Sequence, residues 1–136
     1  MKNLQIKKIQ DTKIAMLGYA VDAGVISNGG RSGAKDGPDS IRKMLGPLAN
    51  HVNETTLVYD YGNIVVEDDD IDAAQLLMRD TIYTCLQEHH FPVILGGGHD
   101  AAYPHFLGVQ KYLETTGQTV GIINFDAHFD LRPIID

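Results

Sequence analysis

The residues best suited to chemistry lie in two short stretches. In the first, Asp126, His128 and Asp130 alternate with Ala127 and Phe129. Side chains two apart in extended backbone point to the same side. Two carboxylates and an imidazole would then line one side of a strand terminus. Grouping them without a cation is unfavourable, because carboxylates repel one another and lose hydration. A divalent ion removes that cost. Oxygen and imidazole donors without sulfur suit manganese, with zinc, iron or cobalt as competitors. The competing reading is three polar residues in an exposed loop. The apolar run from Val120 to Phe125, directly before them, argues against it.

The second stretch is Gly96-Gly97-Gly98-His99-Asp100. Successive glycines let the backbone turn sharply or approach another group closely. They would place His99 just beyond a buried strand. Alone this is a weak signal, since a glycine turn ending in an exposed histidine is common. Functional groups of open α/β sheets collect where strands end and loops begin, and the elements of this chain predict such a sheet.

Short apolar runs alternate with segments of helical period, the pattern of an α/β protein with a mainly parallel sheet. Residues 14–20 are apolar throughout, as in a strand covered on both faces. A glycine-rich loop is expected from Val21 to Gly37. Pro38 then opens a helix whose apolar stripe is Ile41, Met44, Leu45 and Leu48. A second strand is expected from Thr56 to Tyr61, ended by Gly62. The acidic residues 67–70 suit the start of a longer helix, with Ile71, Ala74, Met78, Ile82 and Cys85 on one face. A third strand is expected from Pro92 to Leu95, then a helix from about Ala101 that holds Pro104 in its first turn. A fourth strand is expected from Thr119 to Asn124.

Composition sets outer limits. The 136 residues are 43% hydrophobic and 21% charged, an ordinary globular balance. A net charge of -7 disfavours nucleic acid as a partner. No apolar run approaches the length of a membrane span, and the first residues lack the pattern of a secretory signal. Cys85 is the sole cysteine, so no internal disulfide can form. It reads as a small buried hydrophobe on a helix. These features suit a cytoplasmic protein. A phosphate-binding reading of the glycine loops is disfavoured, because neither carries a Walker or dinucleotide pattern.

Taken together, LGGGHD at residues 95–100 and NFDAHFDLRP at residues 124–133 resemble the ureohydrolase family of arginases, agmatinases and formimidoylglutamases. The loop Asn28-Gly29-Gly30-Arg31-Ser32-Gly33-Ala34, followed by Gly37-Pro38 and Ile41-Arg42, looks like the formimidoylglutamase branch. So does Arg132, two positions after Asp130. The resemblance implies that His99 and Asp130 bind one metal, His128 a second, and Asp126 both. It implies two Mn2+ ions per complete active site and no separate catalytic side chain among these residues. The substrate implied is N-formimidoyl-L-glutamate, hydrolysed to L-glutamate and formamide in histidine degradation. It carries two carboxylates, which guanidinium groups bind through a matched fork. Arg31 and Arg132 are therefore candidate substrate contacts, with Asn28 beside them. Arg31 suits a solvated loop position equally well.

The fold implied is a three-layer α/β/α domain with a mainly parallel, arginase-like sheet, truncated to about its first four strands. Residues 1–136 would be the N-terminal portion of one such domain. The family's sheet order resembles 2-1-3-8-7-4-5-6, so strands that should lie between the third and fourth are not expected here. Open strand edges invite pairing with another chain, which leaves a homo-oligomer in play. A further aspartate pair in an S-x-D-x-D-like motif, used by the family, does not occur in these 136 residues. The chain by itself is therefore expected to have little activity. The alternatives are an agmatinase- or arginase-type amidine hydrolase, or a non-catalytic α/β interaction module.

Overall fold

The computed structural model describes residues 12–52 and 54–130. Its centre is a sheet of three parallel strands in the order β2-β1-β3. The strands are β1 (Lys13–Tyr19), β2 (Leu57–Ile64) and β3 (His90–Leu95). Strands arranged this way need crossover connections, which helices supply. A short helix α1 (Ala23–Ser27) and helix α2 (Gly37–Leu45) separate β1 from β2. Helix α3 (Ile71–Gln87) separates β2 from β3, and α4 (Ala102–Thr116) follows β3. The order matches the first part of the expected sheet, and the fold is an α/β architecture.

The main core lies between the sheet and the pair α3 and α4. Leu17, Tyr19, Val21 and Ile64 from the sheet side cluster with Ala74, Met78, Ile82 and Ala101. Ala74, Met78, Ile82 and Cys85 are fully buried, as their helical spacing predicts. The start of α3 is fixed by Asp70, whose carboxylate accepts the Ala73 N–H at 3.0 Å. That satisfies one of the helix's free first-turn donors. At the other end of α4, Gly117 adopts φ +67, the left-handed stop that glycine takes without steric cost.

The opposite face is thinly covered. Side chains alternate across a strand, and a Cβ at Gly18 would run into Pro38 and Asn63. The first turn of α2 therefore packs on the face away from Leu17 and Tyr19. Its apolar stripe does not follow. Ile41, Met44, Leu45 and Leu48 are all exposed. The spacing defines a face that could be buried, but the described residues supply no layer to cover it.

Three other expectations are corrected. The loop 21–37 contains α1 and a single helical turn at Ala34–Asp36. Gly62 does not end β2, which continues to Ile64. Instead Gly62 takes φ +74 where the register with β1 shifts between Met16 and Gly18. Two residues of β2 there oppose one of β1, a bulge that glycine accommodates. Finally, residues 119–124 form no strand. A strand exists through its ladder, and this run finds no neighbour among the described residues. Ile122 and Ile123 stand 73% and 81% exposed, despite their strand-forming character.

Candidate metal centre

In parallel sheets the loops that follow the carboxyl ends of the strands gather along one rim. Here the rim after β1 and β3 is stitched by the backbone. The Gly97 N–H donates to the Tyr19 carbonyl at 3.1 Å, and the Gly98 N–H donates to the Val21 carbonyl at 2.8 Å. A Cβ at Gly97 would overlap both carbonyls, so glycine is required for this close approach. The path then enters a single helical turn, His99–Ala101, which leads into α4. His99 is thereby set at the mouth of the rim with its side chain 63% exposed.

The stretch 126–130, which follows α4 in the chain, meets it there. Donor atoms of His99, Asp126 and Asp130 all lie within 4.8 Å of one another. The His99 Nε2 stands 3.7 Å from an Asp130 carboxylate oxygen. Residues 126–130 reach this arrangement through a turn, not through strand alternation. The His128 N–H donates to the Asp126 carboxylate at 2.8 Å, an aspartate turn of ordinary type. Asn124 Nδ2 donates to the His128 carbonyl and to the Asp130 carboxylate, each at 3.2 Å. Asp130 itself adopts φ +54, a region aspartate tolerates better than most residues.

His128 stays outside the threefold cluster. Its Nδ1 lies 3.3 Å from the Asp126 carboxylate, with the ring 83% exposed. Asp126 therefore stands between two imidazoles. Its carboxyl is held below the usual carboxylate range, chiefly by the backbone N–H of His128, with the His128 and His99 rings adding to the effect. A carboxylate kept ionised beside imidazoles and a second carboxylate is a donor set that fits a divalent cation.

His99, His128 and Asp130 border an open cleft of about 1250 Å³, lined also by Asn28, Gly29 and Tyr103. Asn28 thus lies at the site, whereas Arg31 is exposed and does not line the cleft. Arg132 lies outside the described residues.

Two further polar groups lie beneath the rim and escape sequence reasoning. Asp22 is fully buried and accepts the Gly33 N–H at 2.7 Å, closing the loop that carries Asn28 and Arg31. Tyr19, also fully buried, donates its hydroxyl to Asp100 at 2.8 Å. Burial, reinforced by the Asp100 carboxylate, raises the Tyr19 hydroxyl pKa well above its ordinary value. One tyrosine in an apolar run reads as core. Asp22, set directly after such a run, was the signal available.

Known proteins share both the sequence and the fold of this chain. A formimidoylglutamase from Aeromonas salmonicida is 46% identical over 119 residues, covering 88% of this chain and 37% of the relative. One from Geobacillus kaustophilus is 40% identical over 122 residues, covering 90% and 38%. The chain thus spans well under half the length of these relatives. A solved Trypanosoma cruzi formiminoglutamase with Mn2+ superposes with a TM-score of 0.77 at 30% identity, over 96% of this chain and 44% of that one. Arginase from Bacillus subtilis shares the fold, with a TM-score of 0.59 over 74% of this chain and 35% of that one, at 24% identity. The sequence model of the Arginase family matches residues 12–135, nearly the whole chain, and the chain belongs to that family.

Proposed function

We propose that this chain carries the first half of a binuclear manganese centre that hydrolyses N-formimidoyl-L-glutamate to L-glutamate and formamide. The carrying observation is the convergence of His99, Asp126 and Asp130 donors within 4.8 Å from stretches separated by all of α4. The similar formimidoylglutamases support the choice of substrate, and the Mn2+ in the Trypanosoma cruzi relative supports the choice of metal.

In this reading His99 and Asp130 would hold one ion, His128 would hold the other, and Asp126 would serve both. Two divalent ions, when bound, make hydroxide available near neutral pH by lowering the pKa of water. The chain's own groups hold geometry and charge. Asp126 and Asp130 supply negative charge to the centre, and Asn124 steadies the Asp130 carboxylate through its 3.2 Å hydrogen bond. Asn28 faces the cleft, and Arg31 and Arg132 are the guanidinium groups available to the substrate carboxylates. Water adds to the amidine carbon, the bond to the glutamate nitrogen breaks, and formamide and glutamate leave.

Four ligands do not complete two metal shells, and these 136 residues hold no S-x-D-x-D motif. The 136-residue chain alone should therefore turn over little or no substrate. The test loads the chain, and any longer natural form of it, with Mn2+ and assays N-formimidoyl-L-glutamate, agmatine and arginine. Formamide release by a longer form alone is expected. Urea from agmatine or arginine would instead favour those branches, and normal turnover by the 136 residues would overturn the incomplete-centre reading.

A further inference from the structure

Next to His99, at the edge of the same cleft, lies a polar contact that the metal ligands do not explain. The Asp100 carboxylate accepts the Tyr19 hydroxyl at 2.8 Å, across 81 positions of sequence. Its other oxygen is buried and has no partner. The carboxylate is seated against two glycines, since a Cβ at Gly24 or at Gly98 would overlap it. Beside it run the two backbone hydrogen bonds that join residues 97 and 98 to residues 19 and 21. The Ala101 N–H then returns to the Gly98 carbonyl at 3.1 Å, closing the turn that contains His99.

Burying a carboxylate oxygen without a partner is unfavourable. An apolar side chain would fill the space without that cost, so packing alone does not account for Asp100. The carboxylate does impose a direction. Its contact with the Tyr19 hydroxyl ties the turn 99–101 to β1, and so ties down the backbone that carries the imidazole one residue earlier. We propose that Tyr19 and Asp100 form a clasp that positions His99 to receive a divalent metal. This rests on the reading of His99 as a metal ligand. Tyr19 and Asp100 are then positioning residues that act through His99. Partners bonded directly to a ligating imidazole commonly change metal affinity by about 10–100-fold when lost, and a clasp that acts through the backbone belongs at the lower end of that range.

The test uses the 136-residue chain and Mn2+ alone, followed by electron paramagnetic resonance, with amide hydrogen exchange in parallel. Tyr19→Phe keeps the ring and removes the hydroxyl. It should weaken Mn2+ binding by about 10-fold and speed exchange at the Gly98 and Ala101 amides, leaving the Met78 and Ile82 amides protected. Asp100→Asn keeps an acceptor for Tyr19 and should bind Mn2+ nearly as the unaltered chain does. If Tyr19→Phe fails to fold, Asp100→Ala breaks the same contact and should show the same loss. A folded Tyr19→Phe chain with lowered melting temperature but unchanged Mn2+ affinity would overturn the clasp. So would an Asp100→Asn chain as weak as Tyr19→Phe, because charge would then be the cause. If the unaltered chain takes up no Mn2+, the metal reading falls separately. The clasp is then decided by the Gly98 and Ala101 amides, and unchanged exchange in Tyr19→Phe overturns it.

Discussion

At the scale of single residues, the site depends on donors that are cheap to expose and costly to crowd. Asp126 lies between His128 and the cluster of His99 and Asp130. Asp126→Ala should therefore lower Mn2+ affinity at least about tenfold, measured by metal titration, without a large change in melting temperature, because the residue is solvent-facing. The two motifs were legible because each joins chemically special residues to an apolar run. The geometry uniting them was not. Alternation predicts that Asp126, His128 and Asp130 share one side, yet the observed turn sends His128 apart. The contact between Tyr19 and Asp100 could not be read at all, since nothing in an apolar strand marks which hydroxyl will meet a carboxylate far along the chain.

At the scale of elements, α2 is tied to β2 by charge. The Arg42 guanidinium, with its side chain 19% exposed, pairs in a fork with both Asp60 oxygens at 2.8 Å. It also donates to the Gly62 carbonyl at 2.8 Å and to Asn63. The Arg42 hydrogen bond is the main reason the Asp60 pKa lies below its ordinary value. A carboxyl lowered in the folded state stabilises the fold fully above its ordinary pKa, and that contribution fades as acid protonates it. Arg42→Leu should therefore reduce stability at neutral pH and flatten its decline below about pH 5, as followed by urea unfolding across pH.

Helix packing offers a second check at this scale. A Cβ on Gly108 of α4 would meet the Ile82 side chain and the Arg79 carbonyl of α3. Gly108→Ala should cost about 1–3 kcal/mol through overpacking, and Met78→Ala, at a fully buried position, about 2–5 kcal/mol through a cavity. Calorimetric melting would check both. The buried face of α3 was readable from spacing. The stripe on α2 has the same kind of spacing and remains exposed, because periodicity names a face and not its cover. Gly62 shows a related ambiguity, since glycine suits a strand end and a bulge equally.

At the scale of the whole molecule, β3 is paired with β1 on one side and with no other described strand. The run holding Val120, Ile122, Ile123 and Phe125 is exposed as well. Open edges and apolar β-prone runs favour association between copies. Ile123→Lys should therefore lower self-association, read by light scattering across protein concentration, with little effect on melting. The expected fourth strand was legible as composition but not as structure, because a ladder needs a partner that sequence order alone does not supply. Among the described residues, no helix is long and apolar enough to cross a membrane.

The placement of Asp126, His128 and Asp130 in a segment exposed throughout, from Gly121 to Asp130, has a practical consequence. The buried core is built from the sheet, α3 and the start of α4, and owes little to that segment. A brief chymotryptic nick after Phe125 should strip three of the four donors from the body. The digested remainder should still melt as a cooperative unit. Proteolytic clipping would thus sever metal uptake from folding, two properties that point mutations in a denser protein seldom let one pull apart.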